Sequence, residues 1–139
     1  MVVVFIADRF LKNIFWFTPP RGAAGHFLHP TLNREIAFSL SIPFVNDTAL
    51  LAVLSVVSIT LICFAVYTYM RQSPDRIAWG LIAAGAVSNV MDRYVLGGVL
   101  DYIDLKIWPV FNLADASIVC GVGLLLLREY RSRRAHMSS

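Results

Sequence analysis

No charged residue interrupts the chain between Ala49 and Met70. At the 1.5 Å rise per residue of an α-helix, about 20 such residues cross the hydrocarbon core of a bilayer, so this stretch predicts a membrane-spanning helix. The composition agrees. Of 139 residues, 58% are hydrophobic and 15% charged, whereas soluble domains run nearer half apolar and a quarter charged. The excess lies in blocks, and three further segments stand out. Met1 to about Phe17 is apolar but broken by Asp8, Arg9, Lys12 and Asn13. A second runs from about Ile77 to Leu96, with Asn89, Asp92 and Arg93 at its far end. A third runs from about Asn112 to Leu127, with Asp115 near its start. The pattern predicts an all-α membrane protein of four transmembrane helices, built as a single domain over residues 1–139. The first segment is marginal in length, which suits a short or incomplete span.

Between the first two helices, Thr18 to Asp47 carries Pro19, Pro20, Gly22, Gly25, Pro30 and Pro43. That density of Pro and Gly excludes a long helix and favours turns with short strands, Ile36 to Ile42 being the best strand by alternation. Gly97, Gly98 and Pro109 punctuate an irregular stretch between helices three and four. Arg71 and Arg76 after helix two share one side with Arg128, Arg131, Arg133 and Arg134 of the tail. Positive-inside bias then puts both termini in the cytoplasm and the acidic cluster at the outer face. The net charge of +3 comes largely from that tail and suits a membrane surface rather than nucleic acid. Cys63 and Cys120 fall in apolar blocks without a CxxC partner and read as small buried hydrophobes. The apolar start lacks the basic lead and cleavage pattern of a signal peptide.

The span from Asn89 to Asp115 holds Asp92, Asp101, Asp104 and Asp115. Ionisable groups at membrane depth are costly, and by default they are functional. Asp101 follows the Gly97-Gly98 turn and Asp115 lies about one turn into helix four, so a chain reversal can bring them together. Two adjacent carboxylates cannot both ionise, and a pair sharing one proton activates water without a metal. The bland alternative is that each Asp caps a helix or is solvated. Asn89, Asp92 and Arg93 stand at i, i+3 and i+4 and share a face, suited to holding a loop or contacting substrate backbone. Asn112, three residues before Asp115, caps helix four, or orients the carboxylate, or does both. Asp8 and Lys12 form an i, i+4 pair, with Arg9 pointing elsewhere. His26 and His29 lack a third metal ligand. A Ser–Lys dyad of Lys12 with Ser39, Ser41, Ser88 or Ser117 is a rival, but no Ser sits in a strained or Gly-flanked setting.

These residues carry a resemblance. Ala7-Asp8 with Lys12, Asn33 with Ala37-Phe38-Ser39, Gly85 to Arg93, Val99-Leu100-Asp101-Tyr102, and Phe111-Asn112-Leu113-Ala114-Asp115 resemble, in order, the motifs of lipoprotein signal peptidase (signal peptidase II), a membrane aspartyl peptidase family. The resemblance implies Asp101 and Asp115 as the catalytic pair. Asp8, Lys12, Asn33, Asn89, Arg93 and Asn112 become supporting or substrate-contacting residues, with Asp92 alongside them. It implies a small extracytoplasmic β-rich cradle between helices one and two. The implied substrate is a bacterial prolipoprotein carrying diacylglycerol on its lipobox cysteine, cut just before that cysteine. It implies no metal, no cofactor and no nucleic-acid partner, and a monomer among the lipids of the bacterial inner membrane. Three departures stand out: Glu35-Ile36 in place of a Gly-Ala pair, Ser88 where Gly is frequent, and a short lead-in to Asp8.

Two other classes remain. A peptidase-like scaffold would bind without cleaving. A proton or ion translocator would relay through Asp8, Asp92 and Asp115, and it would need acidic groups through the membrane depth that the second helix lacks.

Overall fold

A computed structural model of the chain describes residues 2–20, 27–34 and 46–137. In chain order the elements are α1 (Val2–Phe17), β1 (Leu28–Asn33), α2 (Asp47–Met70), α3 (Arg76–Leu96), β2 (Val99–Ile103) and α4 (Leu113–Met137). The four helices match the four apolar segments. The architecture is mostly helical, with one two-stranded antiparallel sheet.

Helix α3 is the hub, packing against α1, α2 and α4. Its seam with α4 is made by glycine. A Cβ on Gly85 would run into the carbonyl oxygen of Ala114, and would also lie 2.6 Å from Ser117 Oγ. A Cβ on Gly121 would sit 2.7 Å from the carbonyl of Ala78. Small residues let backbones approach where apolar burial gives no drive, as between helices in lipid.

Helix α2 is built outward. Only Ser58, Ala65 and Thr68 are buried, while Val53, Val56, Ile59 and Val66 are exposed. Ser55 and Thr60 return their hydroxyls to the carbonyls of Leu51 and Val56 at 2.6 and 2.9 Å, so neither of these donors faces an apolar surround unpaired. Among the described residues α2 alone is both long and apolar enough to cross a membrane, with a mean hydropathy of 2.7. Cys63 and Cys120, expected to be buried, are exposed. An apolar residue on a helix surrounded by lipid has no need of the interior, so hydrophobicity did not translate into burial here. An apolar groove of about 750 Å³ opens between α1, α2 and α3, with Phe5, Ile62, Val66, Gly80 and Ala84 in its walls.

The sheet differs from the expectation. Ile36 to Ile42 lies outside the described residues. The observed strands are Leu28–Asn33 and Val99–Ile103, the second in the stretch expected to be irregular. All of Val99 to Tyr102 is buried, and a strand covered on both faces shows no alternation to read. Thr31 pairs with Asp101, Leu32 with Leu100 and Asn33 with Val99, with a register shift between Leu28 and Thr31. Pro30, which has no N–H to give, falls inside that irregularity. Gly97 ends α3 at φ 70°, and its neighbour Gly98 leaves the space that Asn33 fills, since a Cβ there would be 2.8 Å from the Asn33 carbonyl. One glycine turns the chain and the next lets β1 close on it. Helix α4 continues well beyond Leu127, its arginine-rich end being helical too.

Candidate active site

Charged and amide side chains from α1, β1, α3, β2 and α4 meet where the sheet joins the helices. Asp8, Asp92 and Asn112 are fully buried, and Lys12 and Asp101 nearly so. Among the described residues no buried side-chain nitrogen or oxygen lacks a hydrogen-bond partner, the condition under which a buried polar network adds rigidity.

One part of the cluster is ionic. The Lys12 ammonium donates to Asp8 Oδ2 at 2.9 Å, Asp92 Oδ2 at 2.8 Å and Asn89 Oδ1 at 3.0 Å, which uses all three of its hydrogens. Arg9 pairs with Asp92 Oδ1 and reaches the Ser88 carbonyl. Asp92 also accepts the Leu100 N–H at 3.1 Å, anchoring β2 one residue before Asp101. Asp8 accepts from Ser88 Oγ at 2.6 Å, from Tyr102 Oη at 3.2 Å and from the Ala114 N–H at 3.1 Å. Two carboxylates thus face two cations.

The other part is held by amides. Asp101 accepts from Asn33 Nδ2 at 3.1 Å and from Asn112 Nδ2 at 2.7 Å. Asp115 accepts from Asn89 Nδ2 at 2.7 Å and from the Asn112 N–H at 3.1 Å, while Asn112 Oδ1 takes the Asp115 N–H at 2.9 Å. That reciprocal pair has the form of a capping box at the start of α4. The single residue Asn112 therefore caps the helix and bridges both carboxylates. Burial, with the Asp115 charge adding to it, pushes the Asp101 carboxyl up to about 6 against the pull of Asn33, Asn112 and Lys12. Arg93 is half-buried on α3, within electrostatic reach of Asp101, Asp115, Asp47 and Asp92.

The structure thus brings Asp8, Lys12, Asn33, Asn89, Asp92, Asn112, Asp101 and Asp115 into one hydrogen-bonded set, with Arg93 at its margin. Asp104 turns away and pairs with Lys106 at 2.6 Å, a contact that holds its carboxyl below the usual range. Asn89 and Asp92 both meet Lys12, as residues on one helix face do, and Asp92 holds the start of β2 through the Leu100 N–H.

Three participants were missed. Arg9 was assigned to another face, yet it lies three residues before Lys12, and i, i+3 neighbours share a side. Ser88 and Tyr102 enter the sequence reading without a part in the carboxylate network, yet both donate to Asp8. The Ser–Lys alternative finds no geometry among the described residues. Lys12 is spent on two carboxylates and an amide, Ser88 donates to Asp8, and Ser117 donates to the carbonyls of Ala114 and Leu81. Ser39, Ser41 and His26 lie outside the described residues, and His29 bonds to Thr31 at 3.2 Å.

With this geometry in hand, similarity to known proteins becomes informative. A family model described as signal peptidase (SPase) II matches residues 1–131. The chain is 43% identical over 134 residues to a lipoprotein signal peptidase of Syntrophomonas wolfei, covering 91% of this chain and 86% of that protein. It is 44% identical over 102 residues to one from Halothermothrix orenii, covering 73% and 68%. Among solved structures, a bacterial membrane enzyme determined by the in meso method superposes with a TM-score of 0.77 at 25% identity, over 95% of this chain and 85% of that one.

Proposed function

The chain belongs to the signal peptidase II family, and on that premise we propose that it is an aspartic endopeptidase of the bacterial inner membrane. It removes signal peptides from diacylglyceryl-modified prolipoproteins by cutting before the lipidated cysteine. The observation that carries the reading is Asn112, whose side chain and backbone bind Asp101 and Asp115 at once. Two carboxylates tied to one residue repel each other, and the pair relieves that repulsion by keeping one proton between them.

Such a pair does both halves of peptide hydrolysis. The ionised carboxylate takes a proton from water as the water oxygen attacks the scissile carbonyl carbon. The protonated partner gives its proton to the carbonyl oxygen, forming a neutral tetrahedral diol. Collapse of the diol breaks the C–N bond as the proton first taken from water passes to the leaving nitrogen and one diol hydroxyl returns its proton to the carboxylate that had given one up, restoring the singly protonated pair. The products are a carboxyl end on the signal peptide and an amino group on the lipidated cysteine. Asn33, Asn89 and Asn112 hold the pair by neutral donors. Asp8, Lys12, Asp92 and Arg93 brace the elements that carry it.

All four helices span the membrane in this reading, with both termini cytoplasmic and the dyad at the outer boundary. Residues 1–139 act as one domain and one copy. The diacyl chains stay in lipid while the scissile bond reaches a wet carboxylate pair, and an extended substrate lies against the sheet edge by strand addition. The purified chain in detergent, given a diacylglyceryl prolipoprotein peptide, is expected to release a product whose N-terminus is the lipidated cysteine, identified by mass spectrometry. Asp101→Asn and Asp115→Asn abolish that product. Binding without cleavage at every pH would favour a scaffold instead.

A further inference from the structure

We propose that Tyr102 is a positioning residue for this reaction, its hydroxyl tying the first turn of α4, and with it Asp115, to the strand that carries Asp101. The inference rests on the reading of Asp101 and Asp115 as the reacting pair. The first N–H groups of a helix have no partner within it, and here each is taken by a different side chain. The Leu113 N–H goes to Tyr102 Oη at 3.1 Å, that of Ala114 to Asp8 Oδ1 at 3.1 Å and that of Asp115 to Asn112 Oδ1 at 2.9 Å. The Tyr102 hydroxyl accepts from Leu113 while donating to Asp8 Oδ1 at 3.2 Å. It is therefore a two-sided link between α1, β2 and α4, not a cap alone.

The ring is fixed as well. Tyr102 is 1% exposed and its centroid lies 4.8 Å from that of Phe15. Because Asp101 and Tyr102 are successive strand residues, their side chains leave on opposite faces. One face presents the carboxylate to Asn33 and Asn112, and the other grips the helix that carries Asp115. Burial and the Asp8 charge push the Tyr102 hydroxyl above its ordinary range, so it stays protonated and acts as a hydrogen-bonding post. The charged groups around the pair are Asp8, Arg9 and Lys12 from α1 and Asp92 and Arg93 from α3.

A phenylalanine fills the same volume but leaves the Leu113 N–H without its acceptor. Loosening this link separates the carboxylates. Misplacement of reacting groups by about 1 Å costs on the order of a hundredfold in rate, and weaker coupling draws the two macroscopic pKa values of the pair together. Tyr102→Phe is therefore expected to lower kcat at least about tenfold with KM within about twofold, and to narrow the bell-shaped pH profile from both sides. Phe15→Leu, which disturbs the ring contact and leaves the hydroxyl bonds, is expected to lower the melting temperature while keeping the width of the profile.

Wild-type kcat and profile width in Tyr102→Phe would overturn the proposal. So would a variant that loses activity only in step with its melting temperature, or that melts below the assay temperature, because the hydroxyl then serves stability alone. Asp101→Asn and Asp115→Asn assayed alongside separate the two readings. If both are inactive while Tyr102→Phe behaves as wild type, only the role of Tyr102 falls. If either cleaves at the wild-type rate, the dyad itself falls and the Tyr102 role with it.

Discussion

Asp8 and Asp92 lie in the same buried cluster as Asp101 and Asp115, yet the two pairs are treated in opposite ways. The first pair is saturated by cations: Lys12 touches both and Arg9 takes the remaining face of Asp92. The second pair is held by asparagine amides, with Asn112 common to both. A carboxylate locked between cations is a poor base and a good strut. A carboxylate held by neutral donors keeps its orientation and its freedom to gain or lose a proton. Burial alone does not identify a reactive acid; what matters is which donors surround it.

The largest expected effect breaks the comparison along its main line. Asp101→Asn is expected to cost about a thousandfold or more in cleavage rate with no loss of melting temperature at neutral pH. The folded Asp101 carboxyl, at about 6, lies above the ordinary 3.8, so the stability it contributes is present below pH 4 and lost as pH rises through about 6. The asparagine variant removes that loss, and melting curves at pH 4 and pH 7 test it. Lys12→Met does the reverse. It leaves buried carboxylates short of a partner and is expected to destabilise the fold by roughly 3–5 kcal/mol, measured by denaturant titration in detergent.

Gly85→Ala probes the seam that sets α4, and with it Asp115, against α3. Overpacking there is expected to cost roughly 1–3 kcal/mol, with a fall in kcat read in the same preparation. Asn33→Ala removes a donor that favours the charged form of Asp101, so the alkaline limb of the pH–rate profile is expected to move to higher pH. Asp104→Asn is the smallest. Activity is expected to be unchanged and stability within about 0.5 kcal/mol, although Asp104 lies only three residues from Asp101.

Helix α2 was legible because it is apolar and charge-free from Ala49 to Met70, and the other three because their apolar blocks are broken only by a few polar residues. The dyad candidates were legible because acidic residues beside such stretches are rare. Asn112 was read both as a cap and as a carboxylate holder, and it is both. What escaped was the partnering. Arg9 looked as if it faced away from Asp8 and Lys12, although its i, i+3 spacing from Lys12 put it on the inner face. Nothing in the sequence pattern gave the Tyr102 hydroxyl a partner, and the strand that carries it was invisible because burial on both faces erased its period. The cysteines misled for the opposite reason, since in lipid the outside of a helix is as apolar as its inside.

The hydrogen bond from the Ala114 N–H to Asp8 joins residues 106 positions apart. During synthesis Asp8, Arg9 and Lys12 leave the ribosome long before Asp92 and the start of α4 exist, and buried charges are costly without partners. Until α3 arrives, the i, i+4 pair of Asp8 and Lys12 is the only neutralisation available within α1. The buried cluster comes into being late, when the last helix docks on the first. Before that point α1 carries Asp8, Arg9 and Lys12 without their partners on α3 and α4, which makes α1 the element whose burial depends most on how quickly the rest of the chain follows.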